Sequence, residues 1–284
     1  MPIEAAEEES LADLRERCDI ALVRAPNPGP LTLTGTNAWV VGRAPAWVID
    51  PGPAIDEHID RLAAEIDSRG GLGGILLTHD HSDHSEGIEA LRERHPAPLE
   101  ASAPVAPENT VHGALRPGAV DVPLGDSERF GPFEAVATPG HAPDHLAYVA
   151  AGACFTGDAV LGSGSVFVSP HPRAMGGYLR ALARLRARDD YSVICPGHGP
   201  IVWEPRERLD EYVAHRLDRE HRLIAALAAG RRSTEELLDD AWSDVPAPLR
   251  PAATATLAAH LDKLDEEGVL PDGVERPEFG PVQW

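Results

Sequence analysis

The feature that most restricts what this chain can fold into is the run Thr78-His79-Asp80-His81-Ser82-Asp83-His84. Its members His79, His81, Asp83 and His84 carry imidazole or carboxylate groups. The run follows Gly74-Ile75-Leu76-Leu77, which reads as a short buried strand, and precedes a helical stretch carrying Ile88 and Leu91. A regular helix would scatter these side chains around its axis, whereas a loop leaving a strand lets them fan towards different ligand positions. The same grammar recurs downstream. Phe133–Ala137 runs into Thr138-Pro139-Gly140-His141, Cys154-Phe155-Thr156 into Gly157-Asp158, and Ser192-Val193-Ile194-Cys195 into Pro196-Gly197-His198. Four candidate ligand loops therefore follow four candidate strands. Burying these imidazoles and carboxylates unpaired would be costly, and a divalent cation compensates their desolvation directly. The candidate metal ligands are His79, His81, Asp83, His84, His141, Asp158 and His198, a set of nitrogen and oxygen donors that suits zinc.

The rest of the chain supplies packing elements. Its 284 residues, 43% of them hydrophobic, are enough for one large domain and a small one. The pattern predicts a peripheral helix over 4–17, a hairpin joining 36–41 to 46–49, an amphipathic helix over 54–68, an irregular surface crossing over 95–107 and a short strand near Asp121-Val122. Beyond Pro205 the periodicity turns helical, which predicts a catalytic domain over 1–204 and a second domain over 205–284. Three helices followed by Gly268-Val269-Leu270 as a strand suggest a small winged-helix module.

Charge removes some functional classes. With 25 basic and 46 acidic side chains the net charge is -21, so the average field repels nucleic acids and anionic membranes. Residues 205–284 hold 10 basic against 17 acidic side chains, which argues against DNA binding by the module. The N-terminal Glu4, Glu7, Glu8 and Glu9 have the wrong sign for a secretory signal, and no eighteen-residue apolar run occurs, so a cytoplasmic location is expected. Cys18, Cys154 and Cys195 are widely spaced and read as reduced packing residues.

Taken together, Thr78-His79-x-His81-x-Asp83-His84, Pro139-Gly140-His141, Gly157-Asp158 and Pro196-Gly197-His198-Gly199-Pro200 resemble the metallo-β-lactamase superfamily. Gly35-Thr36-Asn37, Ile49-Asp50-Pro51-Gly52, Ala142-x-Asp144-His145 and His215-Arg216 look most like the β-lactamase-like protein 2 group, a relative of glyoxalase II. The resemblance implies an α/β fold of four layers, an αββα sandwich, followed by a winged-helix-like tail. It implies two zinc ions, one on His79, His81 and His141 and the other on Asp83, His84 and His198, with Asp158 shared. Asp83 and Asp158 are the expected catalytic residues, orienting the attacking water.

By the same resemblance the expected reaction is hydrolysis of an acyl bond, preferably a thioester, in a small-molecule or carrier-bound substrate. The alternative is endoribonuclease cleavage of single-stranded RNA, in which His145 or a metal-bound water could protonate the departing oxygen. A mononuclear-iron persulfide dioxygenase is the third expectation. Neither DNA nor a membrane is an expected partner, and self-association is compatible with the sequence. Asp50, Asp80, Asp144 and Thr78 are candidates to support the ligands. Tyr178 reads as a core aromatic, His215-Arg216 as a pair that could face the cleft, and Arg180, Arg184 and Arg188 as a helix face that is either solvated or a phosphate-docking strip.

Overall fold

Strands with both faces apolar must be covered on both sides, and that requirement organises the whole fold. The computed structural model describes residues 3–95, 101–104 and 122–277. A six-stranded sheet takes its strands in chain order: β1 (Ile20–Arg24), β2 (Asn37–Val41), β3 (Ala46–Ile49), β4 (Leu72–Leu76), β5 (Ala101–Pro104) and β6 (Val122–Leu124). The pairs β1/β2 and β2/β3 are antiparallel, and β3 through β6 run parallel. A five-stranded sheet follows, with β7 (Arg129–Phe130), β8 (Phe133–Ala137), β9 (Leu146–Ala150), β10 (Ala153–Gly157) and β11 (Val193–Pro196) ordered β11-β10-β9-β8-β7. Only β10/β11 is parallel in this sheet.

Alternation along each strand separates three cores. Between the sheets, Trp39, Val41, Ile49 and Leu76 meet Phe133, Tyr148 and Phe155. Trp39 and Phe155 pack edge to face at 6.3 Å between centroids, and truncating either to Ala removes about 3 to 5 kcal/mol of packing. On the outer face of the first sheet, Val40, Val48 and Ile75 pack on Ile59, Leu62 and Ile66 of α2 (Asp56–Ser68), with Ile88 and Leu91 of α4 (Gly87–Arg94). Those α2 residues recur every three or four positions, the spacing of one helix face. On the outer face of the second sheet, Val136, Val149, Cys154 and Ile194 meet Tyr178, Leu182 and Leu185 of α5 (Ala174–Arg186) and Leu209 and Tyr212 of α6 (Pro205–Ala228). The result is the α/β four-layer arrangement, helices on sheet on sheet on helices, with α1 (Ile3–Cys18) and the short α3 (Ser82–Ser85) at the margins.

The C-terminal helices are tied to this body through α6. Its first half belongs to the outer core, while Leu223 and Leu227 near its end join Leu237 of α7 (Thr234–Ala241) and Leu257 and Leu261 of α8 (Arg250–Glu266) in a fourth core. Ser233 and Glu236 start α7 with reciprocal capping bonds. The strand expected at 268–270 does not form. Gly268 adopts φ +70 and ends α8, and the Val269 and Leu270 amides turn back to the Leu264 carbonyl, so these groups cap a helix instead of joining a ladder. Part of the expected surface crossing at 95–107 is strand β5, because pairing with β4 and β6 overrides a composition poor in strand formers. Among the described residues no helix is long and apolar enough to cross a membrane.

The carboxyl ends of β4, β8, β10 and β11 open on one edge of the sandwich, the position where open α/β sheets place ligands. Thr36 bridges His198 across the two sheets at that edge.

Candidate metal centre

Each ligand loop leaves its strand in a conformation its neighbours enforce. After β4 the chain passes through His79 to His81, which caps α3, so that Asp83 and His84 sit in the first helical turn. After β8, Gly140 holds φ +152 directly over the Tyr178 ring, where an added Cβ would lie 2.5 Å from Cδ2. That close approach sets the path of His141. After β11, Gly197 makes room for the site, since a Cβ there would meet Asp158 Oδ1 at 2.5 Å and His84 Cε1 at 2.8 Å. The Asn37 amide donates to the Pro196 and Gly199 carbonyls at 3.0 and 2.9 Å, and the Trp39 indole to Pro196 at 3.1 Å, fixing the loop that carries His198.

All seven candidate ligands come together. Within groups of donor atoms no more than 4.8 Å apart stand His79, His81 and His141; Asp83, His84 and His198; and, joining the two, His79, His84 and Asp158. Asp158 occupies the middle: Oδ2 is 3.6 Å from His141 Nε2 and 3.4 Å from His198 Nε2, while Oδ1 is 3.5 Å from His84 Nε2. His79 Nε2 and Asp158 Oδ1 are buried with no hydrogen-bond partner among the described residues. Leaving such atoms unsatisfied costs about 1 to 3 kcal/mol each. Orphaned, converging nitrogen and oxygen donors are what a divalent cation requires, so the residues present fit the group.

The tautomers follow from the surrounding acceptors. Asp50, buried, accepts from the Thr78 amide through Oδ1 at 2.8 Å and through Oδ2 from the Thr78 hydroxyl at 2.8 Å and His84 Nδ1 at 2.9 Å. With its hydrogen given to Asp50, the Thr78 hydroxyl can only accept from His79 Nδ1 at 3.0 Å. Carbonyls of Phe167 and Gly35 accept from His141 Nδ1 and His198 Nδ1 at 3.3 and 3.4 Å. In all four rings the outer nitrogen holds a proton, so a neutral ring turns a Nε2 lone pair inward. Thr36 acts likewise on a carboxylate: its hydroxyl accepts from the Asn27 amide at 2.9 Å and donates to Asp83 Oδ2 at 2.9 Å. Among the expected supports, Asp50 and Thr78 take that role. Asp144 is buried with Oδ2 unpartnered among the described residues, and burial followed by repulsion from Asp80 pushes it up to about 6.

His145 corrects an expectation. Its Nε2 accepts from the Asp158 backbone amide at 3.1 Å and its Nδ1 faces the Thr138 hydroxyl at 2.7 Å. Burial and the neighbouring His141 push it down to about 3. A neutral ring with its acceptor nitrogen engaged positions Asp158 and donates no proton to a leaving group. The expected arginine face is altered as well. Arg184 pairs with Asp126 at 2.8 Å, and Arg188, which lies beyond the end of α5, with Glu134 at 2.7 Å and Asp190 at 2.5 Å, so two of the three expected charges are engaged and only Arg180 and Arg184 share the helix. Tyr178 is a core residue whose hydroxyl donates to the Ala159 carbonyl at 2.6 Å. Nothing in sequence spacing singles out the roles of Thr36 or Phe167, which reach the cluster from distant loops.

Electrostatics divide the cluster in two. Burial depresses His81 to about 4 and His141 to about 3, and holds His79 well below the ordinary imidazole value, with neighbouring imidazolium charges adding to the effect. In the other group burial also opposes charge, yet Asp83, Asp158 and Asp50 raise His84 to about 9, and Asp158 and Asp83 raise His198 to about 10. At pH 7 without metal, the first three rings are neutral and ready to coordinate, whereas His84 and His198 are protonated. A cation must displace those two protons, so affinity at the Asp83, His84 and His198 group rises with pH up to about 9 to 10. Calorimetric zinc titration in buffers of different ionisation enthalpy is expected to show proton release from the second binding event and none from the first. Equal release from both would contradict this assignment.

A cavity of about 300 Å³ opens from the cluster. His81, Asp83, His141, Asp158 and His198 form one end, and the loop around Leu31 and Leu33, together with Phe167, Trp242 and Leu249, forms much of the wall. His215 and Arg216 face it, as the sequence allowed.

The chain is similar to known proteins. A sequence profile described as the Metallo-beta-lactamase superfamily matches residues 31–198. Over 265 residues the chain is 31% identical to the Beta-lactamase-like protein 2 homolog of Caenorhabditis elegans, covering 91% of this chain and 86% of that protein. The corresponding homolog of Drosophila melanogaster is 27% identical, covering 86% and 87%. A beta-lactamase domain protein from Burkholderia ambifaria superposes with a TM-score of 0.74 at 21% identity, over 90% of this chain and 89% of that one, so the shared fold reaches into the C-terminal helices.

Proposed function

This chain belongs to the metallo-beta-lactamase superfamily, and from that membership we propose that it is a dinuclear zinc-dependent hydrolase acting on acyl bonds, thioesters above all. The observation that carries the reading is the convergence of two three-residue donor groups with Asp158 between them. His79, His81 and His141 would hold one ion and Asp83, His84 and His198 the other. Zinc ions bound there supply Lewis acidity and lower the pKa of a coordinated water to about 7.

The chain's own residues orient and exclude. Thr36 aims the Asp83 carboxylate and His145 the Asp158 backbone, so both acids are held for the attacking water. Phe167, Trp242 and Leu249 keep much of the cleft apolar. Proton supply separates the candidate bonds. Beyond the cluster, the titratable side chains lining the cavity are His215, Arg216 and Arg219. Burial and the two arginines depress His215 to about 4, leaving it neutral at pH 7. A thiol has a pKa of about 8.5 and departs as thiolate without a proton, whereas an alkoxide needs one. Beyond the cluster no acid stands among the described lining residues, so RNA cleavage would have to draw its proton from a metal-bound water, whereas a thioester needs none, and this favours the thioester.

The test presents zinc-loaded protein with an acyl-thioester panel, lactoylglutathione and single-stranded RNA. Thioester turnover that stops on chelation and returns with zinc is the expected result. RNA cleavage without thioester turnover, recovery with iron but not zinc, or turnover that survives chelation would overturn the proposal.

A further inference from the structure

Arg216 is the exceptional charge of the cleft. It projects from α6, is 2% exposed, and lines the cavity that leads to the metal centre. Its partners are the Val166 carbonyl, to which Nη2 donates, and Tyr178, whose ring lies 5.5 Å from the guanidinium carbon and whose neutral hydroxyl also interacts with it. Nε has no hydrogen-bond partner, and no carboxylate pairs with this guanidinium among the described residues. The contrast with Arg219, one turn away, is informative. Arg219 donates to both Asp244 oxygens and to the Ala241 carbonyl, so its charge is compensated inside the protein. A buried, uncompensated cation is costly to keep, and apolar walls around it strengthen attraction for an arriving anion.

Position relates Arg216 to the reaction. Consecutive carbonyls, Val166 and Phe167, accept from Arg216 Nη2 and from His141 Nδ1. One loop therefore braces both a metal-facing imidazole and the guanidinium. The cavity that both side chains line also carries Leu31, Leu33, Trp242 and Leu249, walls suited to a hydrocarbon segment. His215, beside Arg216, adds polarity: its Nε2 accepts from Arg219 Nε at 3.3 Å, so the neutral ring keeps its proton on Nδ1, which has no partner among the described residues.

We propose that Arg216 is a substrate-binding residue that pairs with a carboxylate at the far end of the acyl group, so that the preferred substrate is a mono-thioester of a dicarboxylic acid. The carboxylate is placed on the acyl half because a buried subsite ends a chain, whereas a thiol on a carrier must lead out to solvent. The inference rests on the acyl-hydrolase reading for the chemistry at the metal end. Its test does not need turnover.

Zinc-loaded protein is titrated calorimetrically with linear dicarboxylates of four to eight carbons and with monocarboxylates of matching length. Both series present one carboxylate to the metals, so the difference reports the second. At one length the dicarboxylate is expected to bind at least about tenfold more tightly, the size of one charge-assisted hydrogen bond. In Arg216→Gln that advantage falls to within about twofold, and Arg216→Lys keeps part of it, because the point charge remains without the planar fork. Thermal melting of each variant separates loss of binding from loss of fold. Equal binding of the two series by the wild type, which needs no variant, overturns the proposal, as does an advantage that persists in a folded Arg216→Gln protein. If the dicarboxylate advantage holds while no thioester is cleaved, the subsite stands and the thioesterase reading falls.

Discussion

Asp158→Ala is expected to lower thioester hydrolysis by more than about 100-fold, beyond the upper range for losing a residue that merely supports a ligand. Asp158 is the side chain placed against both donor groups, within 3.6 Å of His141 and His198 through one oxygen and of His84 through the other. Removing it takes a ligand atom from each group at once. It also removes negative charge that raises His84 and His198, so these rings lose protons more readily and compete less with the metal for their lone pairs. The two effects on metal affinity oppose each other, whereas the proposed role of Asp158 in orienting the attacking water bears on activity alone. Hydrolysis should therefore fall further than bound metal does. A variant retaining more than a tenth of wild-type kcat/KM would show that Asp158 is not shared between the groups.

The second large effect is expected at Asp50, which touches no candidate metal position. Asp50→Asn preserves shape and buried volume but replaces an acceptor oxygen by an amide donor. Oδ2 now accepts from both Thr78 Oγ and His84 Nδ1. With nitrogen in that place, His84 must turn a lone pair outward and carry its proton on Nε2, the atom facing Asp83 and Asp158. The opposite amide rotamer rescues those contacts but puts a donor against the Thr78 backbone amide. A tautomer error of this kind disables a site without moving it. The expected result is a loss of zinc affinity of about 10- to 100-fold, concentrated in one of the two ions, with a smaller loss in the other through Thr78 and His79. Competition titration with a chromophoric chelator reads the two affinities, and unchanged affinities at both would remove Asp50 from the account.

Much of this site is readable from sequence because its ligands are local to strand ends. His79, His81, Asp83 and His84 share one loop, and Pro-Gly-His and Gly-Asp each follow an apolar strand, so residue type and strand periodicity together point to the cluster. The resemblance divides the ligands into the two groups that the fold brings together. What sequence hides depends on contacts between distant segments. Thr36 reaches Asp83 across 47 positions, and His145 reads as a proton donor until the Asp158 amide is seen to occupy its acceptor nitrogen. Arg184 and Arg188 look free until Asp126 and Glu134 fold against them. Elements erred for similar reasons. β5 exists because β4 and β6 flank it, and residues 268–270 close a helix because α8 presents the Leu264 carbonyl within reach.

The proposed function stands or falls with a pair of metal ions shared through one aspartate. Anomalous diffraction from zinc-grown crystals, recorded on both sides of the zinc absorption edge, tests it most directly. Two peaks per chain are expected, one enclosed by His79, His81 and His141, the other by Asp83, His84 and His198, with an Asp158 oxygen reaching each. A single peak that leaves one group empty, or zinc bound away from these side chains, would contradict it.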